Sequence, residues 1–137
     1  ILMSAMSTYL ENALVNHVLR NTAYTTPGTS VYVGLIKYYE TDKMEAGTLT
    51  SKEDFGGSYA RVQVTSWDAP SDGATQNTGA ITFPTATGDW GMVSGVIVSD
   101  HASAGNILLH GSLTTPRDVK NGDVFKFNAG DLDITFA

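Results

Sequence analysis

From about residue 30 onward, short runs of β-branched and aromatic residues alternate with turn-forming breaks, and this rhythm leaves few folds open. The runs fall at 31–36, 59–66, 80–83, 92–99, 107–113, 124–127 and 132–136. Residues of this kind suit a pleated, half-buried surface. Between them stand Pro70-Ser71-Asp72-Gly73, Pro84, Gly105-Asn106, Pro116 and Asn121-Gly122-Asp123, all turn signals. Most connections are too short for a crossover helix, so neighbouring strands should run antiparallel. About seven strands at this spacing predict a mainly β fold, an antiparallel β-sandwich of jelly-roll-like form. Within residues 59–66 the alternation sets Tyr59, Arg61, Gln63 and Thr65 on one side and Ala60, Val62, Val64 and Ser66 on the other, as in a half-exposed strand. Residues 40–57 are polar and read as a long surface loop, closed by Gly56-Gly57, which permits a sharp turn.

One α-helix precedes the strands. Leu10, Ala13, Leu14, His17 and Val18 recur at helical spacing and share a face. Thr8 and Glu11 have the spacing of a capping box, and Arg20-Asn21 forms a suitable end, so the helix is expected over residues 8–20. Val15 and Leu19 widen the apolar arc beyond what packing on one sheet face requires.

The chain has 137 residues, enough for one domain with a real core. Residues 1–6 read as an N-terminal extension and 7–137 as a single β-sandwich domain that includes the helix. The apolar start lacks the basic region of a secretory signal, and no stretch is long enough to span a bilayer. The net charge is −6, and the eight basic residues are scattered. Nucleic-acid binding needs clustered cations to displace counterions from phosphates, so no direct nucleic-acid partner is expected, and no membrane. Charged residues make up 16% of the chain, below the usual quarter or so; such a bland surface suits a protein covered by neighbours. Without cysteine, disulfides and thiolate chemistry are excluded.

No pattern of reactive residues stands out. His17 lies on the apolar helix face, His101 follows Asp100 in a loop, and His110 sits within a strand. None has metal-site spacing to another, and the bland readings are favoured. No serine lies in a G-x-S-x-G elbow. Asp131 and Asp133 would project to one side of a strand, but a carboxylate pair needs a cleft. Asp68, Asp72, Asp89 and Asp123 read as turn residues that bond nearby backbone. Trp67 and Trp90 read as core, with stacking on sugars the alternative. No phosphate-binding loop is present, so no cofactor is expected, and no metal.

The blocks Ser7-Thr8-Tyr9-Leu10-Glu11-Asn12-Ala13-Leu14-Val15-Asn16-His17-Val18-Leu19-Arg20, Thr26-Pro27-Gly28-Thr29-Ser30-Val31-Tyr32-Val33-Gly34-Leu35, Gly57-Ser58-Tyr59-Ala60-Arg61-Val62, Ile81-Thr82-Phe83-Pro84-Thr85-Ala86, Asp89-Trp90-Gly91, Gly122-Asp123-Val124-Phe125 and Ala129-Gly130-Asp131-Leu132-Asp133-Ile134 carry a resemblance. Together they resemble the Gp80-type virion proteins of tailed phages, small proteins described as tail fibre-like, minor tail or head-decoration proteins. The likeness covers nearly the whole chain after residue 6 and is weakest in residues 37–54 and 98–104.

The resemblance implies a non-enzymatic structural component of a phage virion, fibre-associated or head-decorating. It would act through contacts with other capsid or tail subunits and as a homo-oligomer, with a closed trimer the preferred symmetry by analogy. Leu10, Leu14, Val15, His17, Val18 and Leu19 form the candidate interface. The alternatives are a module that binds host-surface glycan through loops 37–57 and 98–105, and a polysaccharide-degrading enzyme. Exposed tryptophans beside polar loops would favour the first. A cleft with two acids or a Ser-His pair would favour the second.

Overall fold

The computed structural model describes residues 2–3 and 5–136, with side chains from residue 5 onward. Residues 1 and 4 of the expected extension lie outside the described residues, as does residue 137. In chain order the elements are β1 (Leu2–Met3), β2 (Ala5–Met6), α1 (Thr8–Leu19), β3 (Tyr32–Ile36), α2 (Thr41–Glu45), β4 (Val62–Gln63), β5 (Ala74–Gln76), β6 (Ile81–Thr82), β7 (Gly91–Ser99), β8 (Ile107–Val119), β9 (Lys126–Phe127) and β10 (Asp133–Thr135).

The two longest strands, β7 and β8, pair antiparallel and centre a five-stranded sheet of order β2-β8-β7-β3-β4. Two smaller sheets, β1-β10-β5 and β6-β9, complete the β structure. The protein is therefore mainly β and antiparallel, with one principal helix near the N-terminus, as the rhythm of the sequence predicts. The pairing of β1 with β10 is parallel. These sheet orders do not spell out a jelly-roll winding.

The inner face of the large sheet carries Val33 and Leu35 from β3 with Val96 and Val98 opposite them on β7. They join Ile81, Phe83, Phe125, Phe127 and Ile134 from the smaller sheets and their flanks in the main core. Edge-to-face contacts among Phe83, Phe125 and Phe127 tighten this layer. Trp90, 1% exposed, enters the core as expected, and its indole N–H donates to the Gly57 carbonyl at 2.9 Å. Gly56 and Gly57 both have positive φ, so the sharp turn is real.

Several expectations are corrected. The N-cap of α1 is Ser7, whose Oγ accepts from Leu10 N–H at 3.2 Å, so Thr8 and Glu11 do not form the capping box. Residues 40–57 are not a plain surface loop. They contain α2, and Met44 and Phe55 are buried. A five-residue helix is too short to leave a periodic signal. The 59–66 run shortens to β4, and one residue of its polar side is buried: Arg61 is 8% exposed, while Gln63 and Thr65 stay exposed. Pro116 falls inside β8 rather than ending it. It lies in residues 113–116, which bulge between the pairs Gly95↔Ser112 and Val93↔Arg117.

The outer face of the large sheet has a checkerboard. Gly34 on β3 stands opposite Ile97 on β7, and Ile36 stands opposite Gly95. The isoleucines fill space while the glycines leave notches. A Cβ at Gly34 would lie 2.7 Å from Glu53 Oε2, and one at Gly95 would lie 2.6 Å from Tyr39 Cδ2. Residues 37–57 thus form a strap seated on this face. Ile36, Met44, Ile97 and Ile107 make a second, small apolar cluster beneath it, with Tyr39 and Leu49 packed against it.

Candidate assembly surface

Helix α1 divides the candidate residues into two groups. Leu10 is buried in the main core, and Leu14 is half-buried against it. His17 is exposed, and its Nδ1 accepts from Tyr24 N–H at 3.2 Å, which fastens the chain after the helix. Val15, Val18 and Leu19 are 51%, 71% and 77% exposed. Their i, i+3, i+4 spacing makes one ridge beside the buried stripe, as an amphipathic helix requires. The helix ends as its residues suggest: Arg20 N–H donates to the Asn16 carbonyl, and Asn21 takes the left-handed conformation at φ 52°.

The two loops considered for recognition meet at one buried cation. Arg61 pairs with Glu53 through Nε–Oε2 and Nη2–Oε1, both at 2.7 Å. Its Nη1 donates to Ser99 Oγ and to the carbonyls of His101 and Ala104. Tyr59 Oη donates to Glu53 Oε2 at 2.5 Å and accepts from Leu35 N–H at 2.9 Å, a strand amide left over where β4 has ended. Burial and the neighbouring Glu53 carboxylate push the Tyr59 hydroxyl well above its ordinary pKa, so it remains a donor. A depression of about 340 Å³ lies between Glu53, Tyr59, Arg61 and residues 102–104. The guanidinium is committed to loop carbonyls and one carboxylate, so this cluster acts as a fastener. The strap has further ties: Lys52 pairs with Glu40, and Ser94 Oγ accepts from Tyr39 N–H at 3.0 Å.

The reactive residues do not converge. The His101 ring bonds only within its own loop, to Ser103 backbone. Fully buried His110 contacts Tyr39 and Glu45. Among the described residues no serine hydroxyl bonds a histidine ring, and no group of three or more His, Asp or Glu residues could hold a metal ion. Asp131 and Asp133 do not act together: Asp131 caps Asn128 N–H, while Asp133 lines a separate groove of about 530 Å³ with Asp68. The turn reading holds for Asp72, at φ 52°, and for Asp123, which accepts from Lys120 N–H. Asp89 reaches across to Asn121 N–H instead. Asp68 accepts from Thr78 Oγ1 and the Gln76 amide, and these bonds hold its carboxyl below the usual range. Sequence reasoning missed the Arg61 and His110 clusters. Their one signal was glycine inside strands, at 34 and 95, which marks a close approach of other chain.

Residues 5–135 match a family model described as Podophage GP4 fiber I protein gp80. The chain belongs to the Gp80 family. The match runs from β2 to β10, so it takes in the helix, the strap and every strand but β1. A Gp80 protein is a phage structural protein of the fibre class and a component of the virion. No curated protein matches the chain.

Proposed function

We propose that this Gp80 protein is a non-enzymatic, fibre-associated subunit that acts by packing against copies of itself and other virion chains, through a surface that includes the exposed ridge of α1. The observation that carries this reading is the division of α1. Leu10 and Leu14 close the subunit's own core, while Val15, Val18 and Leu19 are left in water. Each of these side chains contributes roughly 1.5–3 kcal/mol on full burial, and a symmetric assembly repeats that gain in every copy. A closed trimer is the preferred symmetry, by analogy with fibres; decoration of the head is the alternative placement.

Two observations weigh against the other classes. Trp90 is buried, so it offers a sugar no stacking face, and Trp67 is partly buried with its ring packed against the core. Glycoside hydrolysis needs two carboxyls facing each other across a cleft, and of the pair the sequence offers, Asp131 bonds Asn128 N–H while Asp133 lines a different groove. Light scattering on chromatographed protein tests the proposal, together with binding to particles that lack the protein. We expect a defined oligomer that Leu19→Asp dissociates without loss of β structure. A strict monomer that binds neither itself nor the particle overturns the reading.

A further inference from the structure

The strap over the outer sheet face is held by polar ties as well as by apolar contact, and two of these ties meet at one imidazole. His110 stands beside Ile97 on that face and is fully buried. Its Nδ1 is 2.7 Å from the Tyr39 hydroxyl, and its Nε2 is 3.2 Å from Glu45 Oε1. An ionised carboxylate can only accept, so Nε2 carries the ring proton and Nδ1 accepts from Tyr39. Neutral His110 thereby ties both flanks of α2 to β8. Protonation places a second N–H on the ring, aimed at an oxygen whose own proton already points back at it. Tyr39 must then rotate its hydroxyl and accept from Nδ1, so this bond is reversed; what protonation costs the closed strap is a charge held in a site shut off from water.

We propose that His110 is an acid-sensitive latch, and that its protonation frees α2 from β8 while the main core stays closed. Separation of the two events follows from the packing. Met44, Leu49 and Tyr39 cover only a small cluster with Ile36, Ile97 and Ile107, distinct from the main core. A five-residue helix has no stability of its own, and a unit with few apolar contacts opens at lower cost than the whole fold. The ionisable groups around the ring are Tyr39 and Glu45 from the strap and, further off, Glu11 from α1. The sheet neighbours β2 and β7 bring none. Burial outweighs the two carboxylates and holds the imidazole below its ordinary value. The closed strap therefore binds fewer protons than the open one, and acid favours opening. Opening bares Ile36, Ile97 and Ile107.

Hydrogen exchange on the full chain, corrected for the intrinsic pH dependence of exchange, tests the latch. The reporters are the amides of Met44, Ala46, Gly47 and Thr48, which donate within α2 and just after it. Between about pH 7.5 and about pH 5, where an unperturbed histidine titrates, their protection is expected to fall several-fold while β7 and β8 keep theirs. His110→Gln, which cannot titrate, flattens this response. Glu45→Gln keeps an acceptor for Nε2 but removes a charge that favours the imidazolium, so it deepens the response. The proposal is overturned if protection at α2 is independent of pH, if β7 and β8 lose theirs in parallel, or if His110→Gln responds as wild type does. Should His110→Gln fail to fold, a Glu45→Gln profile identical to wild type overturns it equally.

Discussion

Arg61 and Glu53 form a two-pronged ion pair beneath the 99–106 loop, with side chains 2% and 15% exposed. The pair is possible because Gly34, on the strand below, has no side chain to occupy the same space. It joins the strap, the chain before β4 and the β7–β8 connection at one point.

Removing one partner of such a pair leaves a charge buried without compensation. Arg61→Ala should therefore cost about 3–5 kcal/mol. Arg61→Lys should recover little, since an ammonium cannot reproduce the side-on geometry and still reach Ser99 Oγ and two carbonyls. Urea midpoints for the three proteins check this. A lysine variant as stable as wild type would show that the charge alone matters.

Ser7 is 1% exposed, and its hydroxyl does two things: it accepts from Leu10 N–H and donates to the Ile107 carbonyl. Ser7→Ala should cost about 1–2 kcal/mol, the upper range for a lost N-cap. Ser7→Thr should retain most of the stability. Thermal melts followed by circular dichroism separate the two.

The helix predicts a contrast between its two sides. Leu10→Ala opens a cavity in the subunit's own core and should cost roughly 2–5 kcal/mol. Leu19→Asp touches a side chain that is 77% exposed and should alter monomer stability by no more than about 0.5 kcal/mol, while weakening self-association. Denaturation paired with sedimentation on both variants makes the comparison. Equal loss of fold in both would place Leu19 inside the subunit.

Acid should weaken the folded state through His110. Its folded pKa lies below the ordinary 6.5, chiefly because burial disfavours the charged ring. The unfolded chain thus binds more protons once pH falls below that value, and stability present at neutral pH declines through the window beneath it. Tyr39→Phe removes the donor to Nδ1. It should start about 1–3 kcal/mol less stable at neutral pH, because buried Nδ1 is left unpaired, and should keep the acid decline, because the ring stays buried. Unfolding midpoints over a pH series read both effects.

How much of this the residues foretold depends on the range over which each signal acts. The main strands and α1 were legible, since β3, β7 and the first part of β8 carry long local patterns that their packing obeys. Leu10 and Leu14 showed the inward side of the helix, and Asn21 showed its end. Arg61 misled because alternation assigns a charged residue to water, and only Glu53, eight residues earlier, and three acceptors about forty residues later, at the end of β7 and in the loop after it, make its burial tolerable. His110 is a similar case: Tyr39 and Glu45 lie 71 and 65 residues away. Ser7 was overlooked because Thr8 and Glu11 offered the better-known spacing one residue later. The exposed ridge could be suspected from its width, but only packing could show which side of it stays uncovered.

The glycine–isoleucine checkerboard on β3 and β7 also bears on how such a chain can change over generations. The strap crosses two notches that a single methyl group would fill, at Gly34 and Gly95, so its height above the sheet is set by the strands rather than by its own residues. Drift within the strap is cheap wherever its side chains face outward, as at Asp42, Lys43 and Thr48. Drift at either notch lifts the whole segment at once. A lineage can thus rewrite the exposed lettering of this surface repeatedly while two positions with no side chain keep it in place.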